Sequence, residues 1–71
     1  MRLAQLHLLG GCLEEWYVAI GYAFTRFSDE HHTYFEYTIQ RFENDTVIAS
    51  AWNKTARKYE HREMIIGYLL E

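Results

Sequence analysis

The side chains able to act as nucleophiles, bases or metal ligands are few: Cys12, His7, His31, His32, His61 and the acids near them. A thiol beside a histidine can form a nucleophile–base pair. No local signature joins Cys12 to a histidine, and a free cysteine usually packs as a small hydrophobe. Metal sites need several ligands converging at fixed distances. His7, Cys12, Asp29, Glu30, His31, His32 and His61 offer donors, but no histidine pair has the i,i+4 spacing of a helical zinc motif. Adjacent His31 and His32 would point apart on a strand, though a turn over 28–32 would let both coordinate. The carboxylates Glu14-Glu15 and Glu60/Glu63 read as solvated surface. The sequence therefore predicts no enzyme, no metal and no cofactor.

The aromatic side chains carry the stronger signal. Six Tyr, four Phe and two Trp make up 17% of the chain. Such rings bring large apolar area, and Tyr and Trp are enriched at protein interfaces. Trp16, Tyr17, Tyr22, Tyr34, Tyr37, Trp52 and Tyr68 are the candidate interface anchors.

One stretch has a familial pattern. Gly21-Tyr22-Ala23-Phe24-Thr25-Arg26-Phe27 resembles the RNP1 segment of the RNA-recognition motif. Gly21, Tyr22, Ala23, Phe24 and Phe27 match; Ile20 stands where a basic residue belongs and Thr25 where Val does. The resemblance implies single-stranded RNA stacked on Tyr22 and Phe24, with Phe27 as the last aromatic. It covers seven residues, and the run before it is shorter than the strand–helix–strand unit that precedes RNP1 in that family. Nucleic acid is thus the second reading, behind a protein partner.

Composition narrows the class. At 71 residues the chain is one domain. It buries about 62% of its surface on folding, near the lower limit for folding alone. Cys12 is the lone cysteine, so no disulfide forms within the chain, and a free thiol fits a reducing, cytoplasmic compartment. Self-association is then the natural further source of stability, and a homo-oligomer is expected. The net charge of −3 lacks the basic excess of a nucleic-acid binder. Leu9-Gly10-Gly11-Cys12 resembles a lipoprotein cleavage site, but the apolar run before it is too short. No run approaches a membrane span. These features suit a small protein–protein interaction module: a subunit, or a regulator or inhibitor of a larger partner, of the phage or plasmid kind.

The elements that would position these residues follow from periodicity. Trp16, Val18, Ile20, Tyr22 and Phe24 alternate with smaller residues, predicting a strand over 16–27. Phe35, Tyr37 and Ile39 alternate within a second strand over 33–42, with a helix as the rival for 28–43. Glu43-Asn44-Asp45 turns the chain into a third strand over 46–52, making a hairpin. Asn53 or Thr55 can cap a helix over 55–70, on which Met64, Ile65, Tyr68 and Leu69 form an apolar patch, with a terminal strand as the rival. Residues 2–9 read as a short helix or strand ended by Gly10-Gly11. The expected fold is α+β: a three-stranded antiparallel sheet with a C-terminal helix on one face.

Overall fold

The computed structural model describes residues 1–8, 13–28 and 31–70. The described residues contain no helix. Six strands form one antiparallel sheet: β1 (Arg2–His7), β2 (Leu13–Val18), β3 (Ala23–Ser28), β4 (Thr33–Glu43), β5 (Thr46–Asn53) and β6 (Lys58–Leu69). Their order in the sheet is β2-β1-β6-β5-β4-β3. This overturns the α+β expectation in two places. The segment 16–27 is two strands broken at residues 19–22, and the segment expected as a helix over 55–70 holds the strand Lys58–Leu69. Residues 2–7 are a strand, one of the two alternatives for that segment.

Chain connectivity forces the sheet to curl. β2 and β3 lie at opposite edges of the strand order. The five Cα steps from Val18 to Ala23 span at most about 18 Å, whereas the edges of a flat six-stranded sheet stand about 24 Å apart. The sheet therefore rolls into a half-barrel that brings the two edges together. Residues 19–22 close the link as a tight turn, with Tyr22 N donating to Ala19 O at 3.0 Å and Gly21 at φ 86°. That φ is the left-handed region, which glycine adopts without steric cost.

Bulges supply the bend. β6 commits eleven residues, Lys58–Tyr68, to face eight of β5, Thr46–Asn53, with a register shift at each of three places. β4 adds a fourth shift between Ile39 and Arg41. Each extra residue kinks its strand and raises the local twist. The same insertions explain the mistaken helix. Inward-facing Met64, Ile66 and Leu69 depart from strict alternation because a bulge falls among them, so the apolar spacing imitates a helical period. The expected cap is also a real local bond in a different setting. Asn53 Oδ1 accepts from Ala56 N at 2.8 Å, but it organises the β5–β6 hairpin loop.

The concave side holds the core. Ala4, Leu6 and Leu8 come from the first segment, Val18 and Phe24 from the two edge strands, and Phe35, Tyr37 and Ile39 from β4. Val47, Ala49 and Ala51 of β5 and Ile66 and Leu69 of β6 complete it. Small residues on β5 leave room for the rings opposite. Gly67 is the tightest point: a Cβ there would meet the Gln5–Leu6 backbone, so β6 can lie against β1 only with glycine at this position.

Candidate functional site

The seam between β2 and β3 has no backbone ladder; side chains close it. Phe24 sits at the centre of a ring stack, 4.8 Å from Trp16, 5.4 Å from Tyr37 and 5.7 Å from Tyr22. Farther along, Arg26 donates from Nη1 to Glu14 Oε1 at 3.0 Å and pairs with the same carboxylate through Nη2. Charged side chains pointing inward on edge strands discourage pairing with another chain. The seam is accordingly a closure made by packing.

This accounts for several sequence candidates. Tyr37 is fully buried, Phe24 is buried, and Trp16 and Tyr22 pack against the core. Phe24 has rings on both sides, so no base can stack on it. Phe27 belongs to the opposite face, where it is 40% exposed. The residues of the RNP1-like string are therefore divided between the two sides of the sheet.

The outer face carries two groups of exposed apolar residues. The first lies across β2, β1 and β6. Leu13 is 60% exposed, Tyr17 61%, Ile65 54% and Tyr68 59%. Register places His7 opposite Leu13, Leu3 opposite Tyr17, and Gln5 between Glu15 and Tyr68. Leu13, His7, Gln5, Ile65 and Tyr68 line one shallow groove of about 320 Å³.

The second group lies at the far end of β3–β4–β5–β6. Phe27 and Tyr34 are register partners with ring centroids 4.8 Å apart. Trp52 and Tyr59, also partners, meet edge to face at 4.8 Å. Tyr34 and Tyr59 are about half exposed. The β5–β6 loop holds its place through Lys54 N donating to Tyr34 O at 2.8 Å and Tyr34 N donating to Thr55 Oγ1 at 3.0 Å. Thr25, Tyr34, Lys54 and Thr55 line a hollow of about 350 Å³ beside these rings.

Of the seven candidate anchors, Tyr17, Tyr34 and Tyr68 are exposed and Trp52 is half-buried. They fall into the two groups above rather than one. Leu13, Tyr59 and Ile65 are surface residues the sequence reading missed. Strict alternation over 58–69 would group Tyr59 and Ile65 with buried Leu69; the bulges in β6 are what turn them outward.

Polar chemistry is sparse. His31, His61, Glu60, Thr33 and Asn53 line a cleft on the concave side, where Glu60 Oε1 accepts from Asn53 Nδ2 at 2.9 Å. Among the described residues no three histidine, cysteine or acidic side chains come together as metal ligands. Cys12, Asp29 and Glu30 lie outside the described residues. Arg41 bridges Glu43 and Glu63 at 2.7 and 2.5 Å. The Glu43 and then the Glu63 hydrogen bonds raise its pKa above the ordinary arginine value. No helix among the described residues is long and apolar enough to cross a membrane.

No protein-family profile, curated protein or solved structure matches the chain.

Proposed function

We propose that this protein is a binding module that pairs with a second copy of itself through the outer face of β2, β1 and the end of β6. The observation that carries this reading is the groove between Leu13, Ile65 and Tyr68, with Tyr17 on the same face. Apolar side chains more than half exposed around one concavity lose unfavourable hydration when a partner covers them. A standard interface takes about 800 Å² from each partner. The molecule exposes 4666 Å² in all, so such an interface takes about a sixth of its surface. A two-fold pairing needs only one self-complementary patch, and the groove beside the protruding Tyr68 offers both shapes on one face.

Pairing leaves the β3–β6 end free for a larger partner, as expected of a subunit or regulator. Amide chemical shifts followed through a dilution series test the reading. Concentration-dependent movement should concentrate in Leu13–Tyr17, Leu3–His7 and Ile65–Tyr68. Movement confined to the β3–β4 edge, or none, contradicts it.

A further inference from the structure

The second outer group differs from the first in one respect: its rings stand among cations. Four of the chain's seven basic residues, Lys54, Arg57, Lys58 and Arg62, fall between positions 54 and 62, and all four are exposed. Among the described residues Lys54, Arg57 and Arg62 have no carboxylate partner, and Lys58 reaches Glu60 only at 3.9 Å. Arg57 is held at φ 56° at the hairpin loop. Arg62 lines a depression of about 390 Å³ with Tyr59, Gln40, Ser50 and Glu63, the last paired with Arg41. Lys54 thus stands beside Tyr34 and Arg62 beside Tyr59, with Arg57 in the loop between β5 and β6, while Lys58, opposite inward-facing Asn53, belongs to the concave side. The net charge of −3 averages over this asymmetry.

We propose that this face binds single-stranded nucleic acid, with bases stacking on Tyr34, Trp52 and Tyr59 and phosphates meeting Lys54, Arg57 and Arg62. Exposed rings beside a basic track are what single-strand binders use. Every base offers a π-face, and the backbone supplies a regular line of charge. A duplex hides its base faces and cannot use the rings. Glu36, opposite Trp52 and Thr25 in register, and Glu63, paired with Arg41 beside the Tyr59 depression, are acids on this face. Glu36 is the one among the rings, where it meets bases and can accept from their amino groups. The site is separate from the RNP1-like string, whose Phe24 is buried under other rings. It is also independent of self-pairing, which uses the β2–β1–β6 side.

The test is fluorescence anisotropy of labelled mixed-sequence DNA and RNA single strands of about 12 nucleotides, within the site sizes such folds use. Binding should weaken roughly 20- to 50-fold between about 50 and 200 mM salt, as for three or four phosphate contacts. Trp52→Ala and Tyr34→Ala should each weaken it about five-fold or more, the loss of a stacked base. Lys54→Ala with Arg57→Ala, both in the exposed loop, should weaken it while flattening the salt dependence. Ile65→Asp with Tyr68→Asp should still bind, which separates this site from the pairing surface. Absence of binding by folded wild-type protein overturns the proposal. So does binding indifferent to Tyr34 and Trp52, or polyglutamate competing as well as the oligonucleotide, since either would mean the face reads charge alone.

Discussion

Gly67→Ala should remove most of the folding stability, although it adds one methyl group on a strand. The added Cβ would lie 2.8 Å from Leu6 Cα and 2.9 Å from Gln5 C, and closer still to Gln5 O. These are backbone atoms, so no rotamer change relieves the clash; β1 must move away from β6. The two strands pair at three positions, Ala4↔Leu69, Gln5↔Tyr68 and Leu6↔Gly67. Overpacking strain of about 1–3 kcal/mol, with one or two ladder hydrogen bonds weakened at about 1 kcal/mol each, gives a loss of roughly 3 kcal/mol. A chain of this size holds only ~3–5 kcal/mol in total. Ala4, Leu6 and Leu8 also leave the core if β1 detaches. Urea unfolding followed by circular dichroism reads the loss, and amide exchange locates it. Exchange should accelerate first in β1 and β2. A loss below about 1 kcal/mol, with β1 protection unchanged, would refute the close approach of β6 to β1.

Two further substitutions probe the seam and the mouth of the half-barrel. Phe24→Ala removes the ring at the centre of the stack and should cost about 3–5 kcal/mol by urea titration, whereas Phe27→Ala, three residues on and facing out, should cost under about 1 kcal/mol; equal costs would contradict the assignment of faces. Ser28 is buried and its Oγ has no hydrogen-bond partner among the described residues, so Ser28→Ala should leave stability unchanged or raise it by about 1 kcal/mol, and a marked loss would reveal a partner for the hydroxyl.

The β4–β5 hairpin was the most legible element. Phe35, Tyr37 and Ile39 alternate cleanly into the core. Asn44, at φ 54°, turns the chain between Glu43 and Thr46. Legibility failed where the chain departs from ideal strand geometry. Trp16 to Phe24 reads as one alternating run because residues 19–22 turn without disturbing the parity of the apolar positions: Trp16, Val18 and Phe24 all face inward. β6 was lost to its bulges, and Gly67 counted against a helix when its role is a close strand contact. Ala4, Leu6 and Leu8 already alternate in β1, but six residues are too few to outweigh helix-forming composition. The aromatic surplus is visible in the composition alone. Which rings face outward depended on register, and register in turn depends on bulges that composition does not encode.

The central claim is that the β2–β1–β6 face pairs two copies of the chain. Absolute mass by light scattering across a dilution series tests it most directly, with Ile65→Asp/Tyr68→Asp beside the wild type. The wild type should show twice the 8.5 kDa chain mass and dissociate on dilution, while the variant stays folded with the mass of one chain. A wild type of single-chain mass at every concentration, or a variant that still pairs, would contradict it.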